Sequence, residues 1–192
     1  ELFNNGAAGG TMFDGTSKEL TDPFPTKVYD NKAWFAADHP IKTDASTTIA
    51  NRRTSADLDL AELQAAEVAF QTDMGISERG FKLVNMPEFL LVPPGLKHTA
   101  EKLTKSAYDP EADTNAVNTM AGTLRSLSWR HLTNNSTWYL GRQGFGIRVF
   151  DSGDPRPIIW IDENTKSVIL DVDSHFGRCV ENVRGCQQNV GS

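Results

Sequence analysis

The chain has 192 residues, which is enough for one domain or for one domain with a smaller lobe. Apolar residues make up 39% and charged residues 23%, and this balance excludes a disordered chain. The net charge of −6 argues against tight, non-specific binding of nucleic acid, which needs a basic surface. No apolar run approaches the roughly 18 residues of a transmembrane helix. Two cysteines cannot form a disulfide framework, and the composition suits a reducing cytoplasm.

The N-terminal region reads like the interior of a longer chain. It begins with Glu1 and has no basic segment followed by an apolar run, so we expect a fragment or processed product without a signal peptide. Residues 4–32 are rich in Gly, Asn, Asp, Thr and Pro. So long a segment without periodicity predicts an extended arm or loop, or a segment ordered by neighbouring chains.

The first predicted helix covers Leu58–Thr72. Asp59 is suited to cap its N-terminus, and Glu62 follows three residues later, as in a capping box. Gly75 lies near the predicted end. Apolar residues recur at spacings of three and four and form one face: Leu60, Leu63, Ala66 and Phe70.

Two short strands and a second helix are predicted next. Phe81–Val84 and Phe89–Val92 have strand composition, and the second is apolar enough to be covered on both faces. Pro93 and Pro94 end that strand, because neither can donate to a ladder. A helix follows from Pro94 to about Lys105, and the residues expected to face inward are Leu96, Ala100 and Leu103.

The remainder of the chain is mostly strands after an acidic loop over residues 106–118. A hairpin turn is predicted at Asp162–Lys166, and a Gly/Pro-containing turn at Asp151–Pro155 marks a change in composition that is suited to connect two lobes. The predicted strands are 127–129, 137–140, 147–150, 158–161, 168–172 and 176–180. Early helices followed by late strands predict an α+β fold.

None of the four histidines has a local partner for catalysis. Asp38 and His39 are adjacent, and adjacent side chains on an extended chain point to opposite faces, so they do not form a local acid–base pair. His98 is expected on the solvated side of the second helix. We therefore interpret all four as surface or loop residues: His39, His98, His131 and His175.

Neither a metal site nor a phosphate-binding loop has a complete motif in this sequence. His175 and Cys179 have the spacing of half a zinc site, but Cys186 is more distant and no fourth ligand is near. The alternative is two small side chains within a sheet, which form a disulfide in oxidising solution if their strands face each other. The glycines of 141–146 match no phosphate-binding motif and indicate a bend between strands.

Arginines and tryptophans are scattered without a catalytic pattern. The arginines are expected to be solvated, paired with acids or placed at an interface between subunits; they are Arg52, Arg53, Arg125, Arg130, Arg142 and Arg148. The tryptophans are core candidates: Trp34, Trp129, Trp138 and Trp160. No residues stand out as catalytic, cofactor-binding or metal-ligating, which favours a structural or binding protein.

Several segments, taken in order, resemble a known family. Asp30–Pro40 is similar to an Asp-Gly-Lys-x-Leu-Phe-x-x-x-His-Pro stretch, with Asn31 in place of Gly and Trp34 in place of Leu. Phe89–Leu96 is the closest match, to Leu-Leu-Val-Pro-Pro-x-Leu. Further similar segments are Leu58–Leu63, Thr99–Ser106, Asn115–Asn118, Trp138–Leu140, Phe176–Gly177 and Arg184–Gly185. Together they resemble the major capsid protein of tailed bacteriophages, in the Mu-like branch of the Hong Kong 97 fold.

The resemblance covers about residues 30–190 and implies a division of the chain. Residues 1–24 would be an extended arm or peripheral strand region, 25–150 an axial domain pointing to the five- and six-fold centres, and 151–192 peripheral strands. Family members carry an N-terminal arm, an extended loop and a long spine helix ahead of the matched segment. We find no such helix in this sequence.

The resemblance also implies a function. It is that of a structural protein without enzymatic activity or cofactor, which self-assembles through pentamers and hexamers into an icosahedral head around double-stranded DNA. The DNA would be enclosed without specific binding. The chain would be located in the virion capsid, after assembly in the bacterial cytoplasm, and would contact portal, scaffold or cement proteins but no membrane.

Two other hypotheses remain open at this point. One is a phage-derived shell protein of the encapsulin type. The other is a small metal-dependent hydrolase that uses Asp38, His39 and His175, which would require residues distant in sequence to converge.

Overall fold

The computed structural model describes residues 28, 30, 32–54, 56–109, 116–151, 153–173 and 176–192. In these ranges the fold is a mixed helix and sheet structure, as expected, and no helix is long and apolar enough to cross a membrane. The helices are α1 (Leu60–Thr72) and α2 (Lys97–Lys105). The strands are β1 (His39–Ile41), β2 (Asp44–Ile49), β3 (Arg52–Thr54), β4 (Phe89–Val92), β5 (Arg125–Ser128), β6 (Thr137–Gly141), β7 (Ile147–Asp151), β8 (Arg156–Asp162), β9 (Ser167–Asp173), β10 (Phe176–Val180) and β11 (Cys186–Val190).

A five-stranded sheet in the order β3-β11-β6-β4-β5 forms the centre of the fold. The two outer pairings, β3 with β11 and β4 with β5, are parallel, and the two inner pairings are antiparallel. All five residues of β6 are buried. The last strand of the chain therefore lies between strands from its first and middle parts.

Helix α1 confirms the predicted capping and apolar face. Its N-cap is Asp59, whose carboxylate accepts a hydrogen bond from the backbone N–H of Glu62 at 2.7 Å, so the helix begins at Leu60. The carboxylate of Glu62 does not complete the capping box; it pairs instead with Arg53 on β3 at 2.9 Å. The residues predicted to face inward are all buried: Leu60, Leu63, Ala66 and Phe70.

The segment between α1 and α2 is only partly as predicted. Strand β4 ends at the two prolines, a 3₁₀ turn over Pro94–Leu96 leads into α2, and Ala100 and Leu103 are buried. The prediction of a strand at 81–84 is wrong: apart from a single bridge between Ile76 and Lys82, the segment pairs with no strand of the described chain. Its apolar side chains are exposed, Val84 to 83%.

The loop after α2 is anchored by one asparagine. The side-chain amide of Asn118 donates to the carbonyl of Leu103 at 2.7 Å and to that of Ser106 at 2.9 Å, while its oxygen accepts from the backbone of Met120. These two carbonyls lie at the C-terminal end of α2, where the helix supplies no further N–H groups, and they thereby gain a donor. Residues 110–115 of the predicted loop lie outside the described residues.

An aromatic cluster packs on the sheet. The rings of Trp34 and Phe35 stack at 4.3 Å between centroids, and Phe35 contacts Tyr139 of β6 at 5.5 Å. Trp138 is fully buried, and its indole N–H donates to the carbonyl of Ala56 at 2.8 Å. The prediction that the tryptophans are core residues is thus confirmed for Trp34 and Trp138. It is wrong for two others that lie on the surface, Trp129 and Trp160.

Residues 147–180 form two antiparallel strand pairs outside the five-stranded sheet, and one pair lies between the strands of the other along the chain. β7 pairs with β10, and between them β8 pairs with β9 around the predicted turn at 162–166. The turn is stabilised by Asp162, which accepts hydrogen bonds from the backbone of Asn164 and the hydroxyl of Thr165. At the base, the backbone N–H of Glu181 donates to the carbonyl of Gly146 at 2.8 Å, so the two ends lie side by side.

Two buried polar side chains hold β11 in place. The side-chain amide of Asn51 donates to the carbonyls of Trp34, at 2.7 Å, and Val183, at 3.1 Å. Arg184 lies 5% exposed, donates to the carbonyl of Ile76 and forms an ion pair with Glu78 at 2.7 Å. These contacts join three distant parts of the chain where β11 enters the sheet.

Gly185 is predicted to be intolerant of a side chain. A Cβ there would lie 2.2 Å from the carbonyl oxygen of Phe145, and backbone cannot give way as a flexible side chain would. Gly185→Ala should lower the free energy of unfolding by about 2 kcal/mol or more, as overpacking does, measured by urea unfolding. The control is Gly95→Ala, where a Cβ meets nothing within 4 Å; equal stability of the two variants would contradict the packing argument.

The Arg184–Glu78 pair predicts a pH dependence of stability. Burial raises the pKa of Glu78, but the hydrogen bonds from Arg184 and from the backbone of Lys42 outweigh it, and the net pKa lies below its ordinary 4.5. The ionised form therefore stabilises the fold above pH 4.5, and this contribution is lost as pH falls through the lower folded pKa.

Glu78→Gln should accordingly be less stable than the wild type at pH 7, with the difference shrinking below about pH 4.5. Urea unfolding between pH 3 and pH 7 measures it. Glu163→Gln, in the exposed hairpin turn, controls for the loss of one negative charge. A difference for Glu78→Gln that does not change with pH would contradict the assignment.

Candidate functional site

His39 is buried and not a surface or loop residue, contrary to the sequence interpretation. It is fully inaccessible on β1, with Nδ1 at 2.9 Å from the Asp30 carboxylate and Nε2 at 3.0 Å from the carbonyl oxygen of Trp34. No local sequence pattern predicts this contact, since Asp30 lies nine residues away.

Both nitrogens of His39 face oxygen acceptors. The Trp34 carbonyl can only accept, so Nε2 carries a proton. Nδ1 faces a carboxylate whose other oxygen accepts from the backbone N–H of Lys32 at 3.0 Å. The contact between Nδ1 and Asp30 is a hydrogen bond as well, so the ring is held by two hydrogen bonds at once. This arrangement positions β1 and leaves neither nitrogen for a substrate.

The residues of the hydrolase hypothesis are not brought together where the structure describes them. Asp38 is exposed and pairs with Lys32 at 2.6 Å, and this hydrogen bond lowers the pKa of Asp38. The hydrogen-bonded carboxylate beside the buried ring of His39 is that of Asp30. His175 lies outside the described residues. His98 and His131 are exposed, as predicted.

The cysteines form no metal centre in the part of the chain that the structure describes. Cys186 is a free, buried thiol on β11, and burial raises its pKa well above the ordinary value, so it is not a ready nucleophile. Its strand pairs with β3 and β6 and not with β10, the strand of Cys179. Across the described ranges, no three His, Cys, Asp or Glu side chains are grouped to hold a metal ion.

Two cavities have the volume to hold a small molecule. One, of about 210 Å³, lies between Phe89, Arg142, Phe145 and Ile147 at the glycine bend of 141–146. The other, of about 240 Å³, is bordered by Val92, Lys97, Glu101 and the strand β5. The serines of the second cavity, Ser126 and Ser128, lie with Glu101, but neither cavity is lined by a histidine that could act as their base, so neither has a Ser-His-carboxylate arrangement.

Most of the arginines singled out from the sequence are paired or solvated. Arg148 pairs with Glu181 at 2.7 Å, and Arg142 lies 3.9 Å from Glu88 and over the ring of Phe145. Arg125 and Arg130 are exposed.

The unusual feature of the surface is apolar. Large apolar side chains are exposed on both strands of the β8–β9 hairpin, and a second exposed set lies in the segment 81–86 that lacks a partner strand. A monomeric protein rarely exposes contiguous apolar area of this kind, and such patches mark sites of protein–protein contact. The candidate functional site is therefore an interface.

Comparison with known proteins identifies the family. Residues 5–187 match a family model described as phage capsid protein. The chain belongs to the phage capsid protein family.

Other comparisons are more distant. No curated protein matches the chain. Among solved structures, it is similar to a phage-related protein from Bordetella bronchiseptica RB50, at 11% identity and a TM-score of 0.45, over 82% of this chain and 57% of that one. It is also similar to a chain from the capsid of an empty GTA particle, at 13% identity and a TM-score of 0.36, over 54% of this chain and 37% of that one. The chain thus spans less than two thirds of either.

Family membership confirms the resemblance at the level of a bacteriophage capsid protein. A capsid protein is a structural protein of the virion whose function depends on contacts between subunits. The exposed apolar surfaces of this capsid protein fit that role better than either cavity does, and the buried His39–Asp30 pair fits a structural role.

The structural role of His39 in the capsid protein is testable. His39→Ala leaves Asp30, whose side chain is 7% exposed, without its partner, and should lower the free energy of unfolding by about 3 kcal/mol. Asp30→Asn keeps the volume and a hydrogen-bonding group and should cost less, about 1 kcal/mol. Urea unfolding measures both, with His98→Ala on the exposed side of α2 as control. A stability of His39→Ala equal to that of the control would contradict this role.

Proposed function

We propose that the chain is a major capsid subunit that self-assembles through pentamers and hexamers into an icosahedral head enclosing phage DNA. The proposal includes the Mu-like branch of the Hong Kong 97 fold, absence of enzymatic activity, and assembly in the bacterial cytoplasm. The observation that carries it is the β8–β9 hairpin, whose apolar side chains are exposed in the single chain. Two-stranded hairpins are marginal alone, so neighbours that cover this one would stabilise it.

The proposed division into lobes takes account of the sheet. An arm over 1–24, an axial domain over 25–150 and peripheral strands over 151–192 remain our proposal. Because β11 pairs with β3 and β6, however, residues 186–190 share a sheet with strands that we assign to the proposed axial domain. We therefore propose that the projecting part of the peripheral region is the hairpin and that the chain returns to the axial sheet after it.

The net charge of the chain bears on one proposed partner, the enclosed DNA. With a net charge of −6, the subunit would enclose double-stranded DNA without binding it specifically, since like charges repel. Portal, scaffold and cement proteins are further proposed partners. A shell protein of the encapsulin type is a second candidate, because the exposed hairpin favours assembly in that case as well; particles containing protein cargo without DNA would favour it.

Electron microscopy of the purified full chain tests the proposal. We expect uniform closed particles with pentameric and hexameric clusters, and a sedimentation coefficient far above that of a 192-residue monomer. The control is the variant Gly185→Ala, which should lose particles in proportion to its loss of folded protein. Monodisperse monomers or dimers at every protein concentration would contradict assembly by this chain.

A further inference from the structure

Residues 81–84 have the composition of a strand but no partner strand. Aromatic and β-branched residues such as Phe81 and Val84 favour strands, because they pack well on the surface of a sheet. The bridge that this segment forms within the described chain is the one between Lys82 and Ile76. One side of the segment is therefore held by backbone of the same chain, and we call residues 81–84 the open edge.

Two backbone hydrogen bonds show where the backbone groups of Lys82 point. Both are 2.8 Å long, and they run from the N–H of Leu83 to the carbonyl of Gly75 and from the N–H of Ser77 to the carbonyl of Phe81. Lys82 lies between these bonds, at the position of an antiparallel pair whose members do not bond to each other. Its own N–H and C=O therefore point away from the bridge, to the outer side of the segment.

The outer side has backbone groups without a partner. The carbonyl of Val84 accepts a hydrogen bond from the guanidinium of Arg142 at 3.2 Å. Among the residues that the structure describes, no group bonds to the N–H or C=O of Lys82 or to the N–H of Val84. An exposed strand edge of this kind can bind a further extended peptide through main-chain hydrogen bonds.

Apolar side chains surround the open edge. The exposed ones are Phe81, Leu83, Val84 and Met86. Contiguous apolar exposure marks a site of contact with another polypeptide. A peptide added along the open edge would thus bury apolar area as well as form backbone hydrogen bonds.

Unpaired positive charges lie at the same edge. Arg79 and Lys82 are exposed, and neither forms an ion pair with another described residue. Residues 79–87 contain no acidic residue. The acidic residues on either side of this stretch, Glu78 and Glu88, already face guanidinium groups from other parts of the chain. The charge that remains for a partner is positive, so the complementary peptide is acidic.

We propose that the open edge binds an extended, acidic segment of another protein, which adds as a strand beside residues 81–84. The free backbone groups of Lys82 require an extended partner, and the unpaired charges of Arg79 and Lys82 require an acidic one. The exposed apolar side chains favour a segment in which acidic and apolar residues alternate. This inference goes beyond the proposed capsid function, because the contact does not depend on whether closed particles form.

Hydrogen exchange of the full chain tests strand addition. The probe is a synthetic peptide of alternating glutamate and valine, about seven residues long, as in an ordinary strand. At saturation it should slow exchange of the N–H groups of Lys82 and Val84 at least about tenfold, because main-chain hydrogen bonds protect them. One control peptide has lysine in place of glutamate and should be repelled. The other has proline at two adjacent central positions, which removes a donor from either side of the peptide, and should protect much less.

A charge reversal tests the role of the two cations. Arg79→Glu with Lys82→Glu should raise the dissociation constant of the glutamate–valine peptide at least about tenfold, because like charges then meet. The matched control is Arg125→Glu with Arg130→Glu, which reverses two exposed arginines elsewhere on the chain and should raise it much less. Fluorescence anisotropy of the labelled peptide measures binding, and circular dichroism establishes that both variants are folded.

Several outcomes would overturn the proposal. No protection by the glutamate–valine peptide, equal protection by the lysine peptide, or protection confined to other parts of the chain would each contradict it. Slow exchange of Lys82 and Val84 without any peptide would contradict it as well. If that slow exchange is independent of protein concentration, this chain supplies the strand itself; if it appears only as the concentration rises, a second copy supplies it.

The capsid function is judged separately from this contact. Closed particles formed by a chain whose open edge binds no acidic peptide would leave the capsid function standing and overturn the contact. A chain that binds the peptide as expected but stays monomeric at every concentration would support the contact and contradict assembly.

Discussion

The position of β11 in the sheet is the constraint on which the rest of the structure depends. This strand pairs in parallel with β3 and antiparallel with β6, so a strand near the end of the described chain lies between one from its first part and one from its middle. Asn51 and Arg184 complete the junction with hydrogen bonds to backbone carbonyls, and Gly185 allows the backbone of Phe145 to approach. Buried polar contacts of this type fix one geometry, because each group that loses its partner is left unsatisfied without water.

The molecule has a buried apolar core on one side of this junction and an exposed apolar hairpin on the other. On the sheet, Trp34, Trp138 and Leu140 are fully buried within one chain and give it a core of its own. Beyond the junction, the hairpin exposes apolar side chains that a single copy does not cover. A capsid protein needs both, since a subunit must fold before it assembles and must then retain surface that only neighbours can bury.

Local signals made part of the fold predictable from sequence. The helix α1 was predicted from Asp59 and the spacing of its apolar residues, and the end of β4 from Pro93 and Pro94, because capping and the loss of a donor act within a few residues. The strand β11 was not predicted. Its sequence is polar, with Gln187, Gln188 and Asn189 buried in the sheet, and only contacts with distant strands make it a strand.

The candidate interface could also be predicted only in part from the sequence. Trp160 and the isoleucines of β8 have strand composition, and the strand was predicted, but composition does not tell whether a strand is covered by its own chain or by another. His39 was misassigned for a related reason: its partner Asp30 comes from a separate segment. At the level of the family, the ordered set of short motifs was more informative than any one residue.

The base of the hairpin has a consequence for variation among related shells. The backbones of Gly146 and Glu181 are hydrogen-bonded to each other, so the segment between these two residues begins and ends at neighbouring points of the fold. The entropy of closing such an excursion changes only with the logarithm of its length. Insertions or deletions near the 162–166 turn would therefore leave the sheet undisturbed while altering how far each copy reaches, which would let particles of different curvature evolve from one stable body.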